Sequence, residues 1–549
     1  ARLDRLETDA RRVLRVASIF GDRFRPLGVA ALLGETMKPA EVRDWLARLV
    51  DGELLVRRVE GAPSDEPEIA FRHALLREGA YATLTEADRA LGHRLAATFL
   101  EACGESDPGV LAEHFSRGGD AVRAGVCYLR AAEQAIRSND TDAAIAHATR
   151  GLEQGGADDT KLALLGALCE IHWWQSKWEA AASYAERVLS LAEPGSTPWA
   201  RAITAKLVHA HVSGRDDEMT ALLGAVRRVS PEAGAIDSLA VSIAIVTFTL
   251  DAGGHFALGE LCLEWLLDIA GAPAAEERAP GAARDGTSAA THRALAAAGR
   301  GEDESAKGVD LVTSGATARR RALCVAHGTC GMHAWLLGSL DAAETLFRRA
   351  IAQNHDIGPL GAFQSMYLTH VLADRGALSE ALTEARRLAS AGLARRLPAE
   401  EGVGRAVLAE VLRRQNDLEA AEREALAAVA LLASRPLDRM GSMATLAAIR
   451  CAAGQSSLAL EAARESVGTY EAVRMFDFYK GVFARLTLAE VLFAEGDQTA
   501  ARAVLADARA RLLACAAAIE EPLVRRSFLE RVPENARTME LAAQWLSEA

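Results

Sequence analysis

One short pattern recurs along the chain: a Gly or small polar residue, four variable positions, then usually Ala. It reads Asn139–Ala144, Ser176–Ala181, Gly214–Met219 and Gly254–Gly259, then Gly338–Ala343, Gly376–Ala381, Asn416–Ala421, Gly454–Ala459 and Gly496–Ala501. The steps are 37, 38, 40, 84, 38, 40, 38 and 42, and the 84 is two periods. A worn copy, Gly301–Ala306, falls where the missing unit belongs. Such spacing predicts a solenoid of helix pairs. An apolar helical stretch precedes each turn, as in LAEVLRRQ (408–415) and LAEVLFAE (488–495). A second amphipathic helix follows, as in AAEREALAAVALLA (420–433). Gly or Asn at the turn suits a left-handed C-cap, and Asp417 and Asp497 are placed to cap the next helix. Ala at the fifth position lets two helices approach closely. A pair cannot bury its apolar face alone, so it must stack on its neighbours.

The pattern resembles the tetratricopeptide repeat family. WEAAASYAERVLSLAEP (178–194) is similar to the second helix of that repeat, down to the final proline. The resemblance implies a mostly α protein, a right-handed α-solenoid of tetratricopeptide-like helix pairs starting near residue 103. Steps near 38–40 exceed the usual period of about 34 and imply longer helices or loops. Residues 1–100 read differently. Helices are predicted over 2–19 (Leu3, Leu6, Val13, Leu14 and Val16 apolar), 26–34, 39–50 and 72–84. The β-like runs LLVRR (54–58) and EIAFRH (68–73) flank the turn-rich GAPSDEP. Three helices and a hairpin wing is the order of a small winged-helix domain. The expected organisation is therefore 1–100 winged helix and following helix, 101–270 repeats, 271–312 a degenerate repeat or flexible segment, and 313–549 repeats with a C-terminal cap. Residues 271–312 carry few large apolar side chains and bury little surface.

Composition narrows the classes. Half the residues are hydrophobic but only 5% are aromatic, which suits helices and not sandwiches or barrels. The best apolar run is IAIVTFTL (243–250), too short for a membrane span. No signal peptide is recognisable, and the opening ARLDRLETDA lacks Met, so a piece of a longer polypeptide is expected. A net charge of -13 argues against a nucleic-acid partner. So does AEVRDWLARLVD, in the recognition-helix position, with two Arg against one Glu and two Asp. The eight cysteines are dispersed; that is no disulfide framework and fits a reducing cytoplasm.

ASIFGDRFRPLGVAALLG, FRHALLREGAYATLTEADRALGHRLAATFLEACG and LAEHFSRGGD resemble the segment after the nucleotide-binding domain in bacterial signal-transduction NTPases with tetratricopeptide repeats. RRSFLERVPENARTMELAAQWL (525–546) is similar to the end of their repeat region. In the PknK-like members a serine/threonine kinase precedes the NTPase. The resemblance covers nearly the whole chain and rests on structural motifs. It implies an effector-sensing, protein-interaction region that regulates an NTPase or kinase domain upstream in the same polypeptide. The alternative is a passive scaffold or oligomerisation module. The chain has no GxxxxGK[ST], HRDLxxxN, DFG or VAIK, so it is read as no enzyme and as holding no cofactor. In related NTPases a winged-helix histidine can touch the nucleotide phosphate. His73, in FRHALLRE, is the corresponding candidate sensor; otherwise His73 and Arg72 stabilise the wing–helix junction.

Other residues are weighed as sites. Cys324, His327, Cys330 and His333 have zinc-compatible side chains, but steps of three on one helix swing them through about 180°, so no metal site is expected. His209 and His211 point to different helix faces, and Trp173, Trp174 and Trp178 sit at core spacing. The expected partner is a protein, peptide or small-molecule effector lying along first helices in the superhelical groove. The candidate anchors there are Tyr128, Arg130, Trp173, Trp174, His209, His333, Trp335, Gln364, Tyr367 and His370. Anchors are expected to keep an exposed face, whereas gap-filling residues are expected to be buried.

Overall fold

A computed structural model describes residues 6–58, 68–138, 140–175, 177–232, 235–272, 287–305, 314–353, 359–395, 397–433, 435–473 and 479–546. Among them are 27 α-helices and three short strands. The chain divides into two compact units, Ala1–Ile136 with Asp140–Ala167, and Arg137–Asn139 with Leu168–Ala549. No helix among the described residues is long and apolar enough to cross a membrane.

The first unit opens with helices Thr8–Ala17, Pro26–Leu33 and Pro39–Asp51. Strands β1 (Arg23–Phe24), β2 (Leu55–Arg58) and β3 (Glu68–Phe71) form an antiparallel sheet in the order β1-β3-β2. The two runs predicted as a hairpin pair as expected. The third strand was not expected: two residues carry no periodicity, and its place is fixed by pairing with β3 and by Phe24 joining the core of Val13, Leu14, Leu46 and Ile69. Leu3 and the GAPSDEP turn lie outside the described residues. Helices Glu86–Ala102 and Pro108–Arg117 then bury His93 against His114.

The second unit is an α-solenoid of tetratricopeptide-like helix pairs, and its turns show why. Gly214, Gly254, Gly338, Gly376, Asn416, Gly454 and Gly496 all have positive φ, the left-handed conformation that closes a helix C-terminus. At Asn416, Asp417 N–H donates to Leu412 O at 3.0 Å, and Asp417 in turn accepts from Ala420 N–H. Asp497 does the same for Ala500. The fifth-position alanines Ala181, Ala343, Ala381, Ala421, Ala459 and Ala501 are at most 1% exposed, so the paired helices meet almost backbone to backbone. Two positions depart from Ala: Met219, which is equally buried, and Gly259. At Gly259 an added methyl would stand 2.0 Å from Asp251 Oδ1, so the space an alanine would fill holds a buried carboxylate.

Other helix pairs meet as tightly. A methyl on Gly404 would lie 2.5 Å from Ala389 N and 2.7 Å from Ala389 Cα, and backbone cannot swing aside. Gly404→Ala is therefore expected to cost about 1–3 kcal/mol through overpacking. Gly468, in helix Ser456–Val473, serves as the control: a methyl added there would meet nothing within 4 Å, and Ala gains about 0.5–1 kcal/mol of helix propensity. Thermal melts followed by circular dichroism check both; equal melting temperatures for the two variants would mean the helices separate freely.

The array also returns on itself. Phe256 and Phe528 rings lie 5.5 Å apart at 67°. Tyr479 N–H donates to Ala252 O at 3.3 Å, and Cys515 Sγ lies 3.5 Å from Gly254 O. Within 271–312, Ala289–Ser305 is helical, and its Arg293 binds Glu264, Asp268 and Ala272 O. Residues 273–286 and 306–313, with Ala306, are outside the described set, as is Ser176.

Candidate functional site

Among its described residues the second unit has a cavity of about 140 Å³. Its wall is built from helices far apart in sequence. Trp173 and Trp178 come from the second repeat pair, Ala244 and Phe248 from Ile236–Ala252, and Val325, Gly328, Thr329 and Met332 from Ser314–Leu336. Phe363, Gln364 and Tyr367 come from Pro359–Asp374, Asp438 and Met440 from Pro436–Ala452, and Tyr479 from the segment before Gly481–Ala494.

The rings brace one another. Trp173 and Trp178 meet edge to face at 6.2 Å, and Phe248 meets Tyr479 at 5.4 Å. Such geometry is the preferred one for aromatic quadrupoles. The Tyr367 and Tyr479 hydroxyls hydrogen-bond to each other, and burial pushes both phenols up from their ordinary value. Gly328 is small for a reason: a methyl there would be 2.6 Å from Gln364 Nε2. Gln364 thus lies flat across the helix, its side chain also hydrogen-bonded to Cys324. Its Oε1 is buried and has no hydrogen-bond partner among the described residues. The cavity's two charged groups, Arg435 and Asp438, pair at 2.6 Å.

A charged layer backs this wall. Trp335 packs on Tyr367 at 5.8 Å, stacks on His370 at 5.5 Å, and donates from Nε1 to Asp374 Oδ2 at 2.7 Å. Arg414 bonds the other Asp374 oxygen at 2.6 Å and, with Arg413, grips the buried Glu410. Burial opposes ionisation of Glu410, but the two guanidiniums hold its carboxyl well below the usual carboxylate range. Burial drives His370 the other way, well below its ordinary value, so its ring is neutral.

A second polar cluster has a fully buried centre, Asp251 and His333, and one partly exposed member, Glu260. His333 Nδ1 bonds Asp251 Oδ2 at 2.8 Å and His333 Nε2 bonds Glu260 Oε2 at 2.9 Å. Burial alone would keep the imidazole neutral; the two carboxylates outweigh it and raise His333 to about 10. The arrangement ties helices Ile236–Ala252, Phe256–Ile269 and Ser314–Leu336 together.

Of the sequence-derived anchors, Trp173, Gln364 and Tyr367 line the cavity. Trp335 stands one layer behind. His333 and His370 are 1% and 5% exposed, and by the exposure criterion they are packing residues, held by ion pairing and by stacking. Tyr128, in the first unit, is buried too and its hydroxyl donates to Glu113 at 3.0 Å. Gln364 and Tyr367, at 5% and 9%, are as buried as His370 although they line the cavity wall. His209 is half-buried and outside the cavity lining; Arg130 is exposed in the first unit. The Trp174 side chain lies outside the described residues. His73 is exposed at the N-cap of helix Ala74–Ala82. The Cys324 to His333 series points to separate partners: Cys324 to Ala350 O, His327 to Gln353 Oε1, His333 to the carboxylates. No group of three or more metal-ligating side chains converges among the described residues.

Sequence reasoning missed Phe248, Phe363, Asp438 and Tyr479. Phe248 sits inside the apolar run 243–250, where nothing separates a wall residue from core. Tyr479 precedes a helix rather than lying in one, so no helical period marks it.

No protein family and no curated protein matches the sequence. Solved structures of similar helical-repeat fold are found. A signal transduction ATPase with numerous domains and a tetratricopeptide repeat sensor, from Pyrococcus horikoshii, is 12% identical with a TM-score of 0.38, covering 96% of this chain and 66% of that one. A Rap protein complexed with competence and sporulation factor is 11% identical with a TM-score of 0.38, covering 77% of this chain and 99% of that one. Yeast Tom70 is 13% identical with a TM-score of 0.28, covering 83% and 95%.

Proposed function

We propose that this chain is the effector-sensing region of a signalling ATPase or kinase, and that the effector binds in the aromatic cavity of the second unit. One observation carries the reading: the cavity wall is contributed by six separate stretches of the repeat array. A ligand there touches repeats that are distant in sequence, so its binding energy favours one arrangement of the array over others. A linear scaffold has no need of an aromatic cavity shared by so many repeats. In this reading the helices and sheet before residue 100 act as a winged-helix connector to an upstream nucleotide-binding or kinase domain, with the exposed His73 facing the nucleotide.

The test is a thermal-shift screen of small molecules and peptides on the full chain. A ligand at 100 times its Kd stabilises by about 2.7 kcal/mol, an easily read shift. Val325→Phe, with Ala244→Phe as an independent second filler, occupies the chamber and is expected to abolish the shift. Ligands whose shift survives both substitutions would bind elsewhere and defeat the assignment.

A further inference from the structure

The cavity is not apolar all the way round. Arg435 and Asp438 belong to its lining, with 19% and 25% side-chain exposure, whereas Ile245, Val325, Met332 and Met440 on the same wall are at most 7% exposed. A partly buried ion pair is a weak source of stability, because desolvation offsets most of its attraction. Apolar side chains at these two positions would close the wall at least as well.

The pair is only partly used within the fold. Arg435 meets Asp438 through Nε and Oδ2 at 2.6 Å, and neither side chain has another hydrogen-bond or ion-pair partner among the described residues. A guanidinium has five N–H donors and a carboxylate about four acceptor sites, so most of both remain open. Unlike Gln364 Oε1, their free polar atoms are not sealed from solvent. Burial raises the Tyr367 and Tyr479 phenols, and the Asp438 carboxylate adds to the rise in both. The charged end of the cavity therefore adjoins its ringed wall.

A guest that matches this wall carries a large apolar side chain beside one negative and one positive group. An α-amino acid has that form, because its ammonium and carboxylate share the carbon that bears the side chain. The carboxylate takes open N–H groups of Arg435, and the ammonium takes the open oxygen of Asp438. The side chain then lies among Trp173, Trp178, Phe248 and Tyr479, whose faces and edges suit an aromatic or a branched apolar group. Hydrogen bonds between charged groups are roughly twice as strong as neutral ones. A residue of a longer ligand presents less. Inside a peptide it carries neither charge. At a peptide terminus it carries one, and the other member of the pair is desolvated without a match.

We infer that the cavity binds a free α-amino acid with a large apolar side chain, its carboxylate on Arg435 and its ammonium on Asp438. The inference rests on the reading of the cavity as the effector site and specifies its ligand.

The experiment is isothermal titration calorimetry on the full chain with L-tryptophan, L-phenylalanine and L-leucine, and with glycine as the control that lacks the side chain. At least one of the three is expected to bind, and glycine to bind about ten-fold more weakly or worse. The tightest is then compared with its N-acetyl, amide and doubly blocked derivatives, which stand for the last, first and internal residue of a peptide. Each single block is expected to weaken binding about ten-fold. Asp438→Asn is expected to erase the penalty of N-acetylation, and Arg435→Gln that of amidation, each by weakening the free amino acid. Circular dichroism checks that the variants fold, and one folded variant suffices. Val325→Phe is expected to abolish binding. Equal binding of the N-acetyl or the amide derivative by the unmodified chain reassigns the cavity to a peptide terminus and overturns the free amino acid. Equal binding of the doubly blocked form overturns both charged contacts. Binding that survives Val325→Phe lies elsewhere and overturns the placement. No binding by any of the three overturns the ligand class. The effector site then stands if a screening ligand is lost on Val325→Phe, and falls too if none is.

Discussion

Replacing His333 with Ala is expected to destabilise the second unit by about 3–5 kcal/mol, the cost of breaking a buried ion pair and leaving its charge uncompensated. The loss comes less from the removed imidazole than from what stays behind. Asp251, fully buried, would lose its charged partner, whereas Glu260 is a quarter exposed and keeps the hydrogen bond it accepts from Ala290 N–H. The same triad sets a pH dependence. His333 is raised to about 10 in the fold, against about 6.5 in an unfolded chain. A raised basic group contributes fully below the unfolded value and loses that contribution as pH rises through the folded one. Urea midpoints of the second unit should therefore fall between about pH 6.5 and 10, by on the order of 4 kcal/mol. His333→Gln should flatten that slope, because glutamine keeps a polar group but cannot carry the charge. A wild-type slope retained in the variant would place the titration elsewhere.

The first unit is expected to weaken in the opposite direction, on acidification. His93 Nδ1 and His114 Nδ1 lie 3.1 Å apart, and Tyr81 Oη contacts His93 Nε2 at 2.9 Å. Two imidazoles can share that hydrogen bond only while at least one is neutral. Burial, aided by their mutual repulsion at His93 and by Arg117 against both, lowers each to about 4, with Glu113 opposing at His114. In the unfolded chain both protonate near 6.5. Stability is thus complete above about pH 6.5 and drains away toward pH 4, at most about 3 kcal/mol for each histidine. Hydrogen exchange separates this unit from the second: its amides should lose protection between about pH 6.5 and 4.5. The double variant His93→Leu with His114→Leu should lose less over that interval. Protection that is insensitive to pH in the wild-type chain would show that the pair accepts protons without cost.

What could be read from the sequence was the local chemistry. Gly254, Gly338 and Asn416 announce left-handed caps because few other residues tolerate positive φ, and the fifth-position alanines announce close helix contacts because only a small side chain fits. The break at Gly259 was visible as a departure from Ala, but its cause was not. The explanation is Asp251, eight residues earlier, whose partner His333 belongs to a different repeat. The cavity was legible only in part for the same reason. Trp173, Gln364 and Tyr367 stand on first helices among small residues, and that placement singled them out. His333 and His370 stand there too, but each is held by a residue of another repeat, Asp251 and Trp335, and no pattern within a single repeat reveals such a partner. Strand Arg23–Phe24 escaped because its pairing is decided by tertiary contact.

Repeat arrays are commonly treated as one-dimensional chains, each unit stabilised by itself and its immediate neighbours. The contact of Cys515 with Gly254 spans 261 residues, and Phe528 on Phe256 closes the same loop. Closure changes the statistics of unfolding. In an open chain the ends fray first and melt at little cost. Here, fraying the last pairs also strips a face from the pair that carries Phe256, so partial unfolding is penalised twice and the second unit should denature as a single cooperative block. The same closure places a long loop-entropy cost before the final contacts form, which makes completion of the ring, rather than growth of the repeats, the slow step of folding.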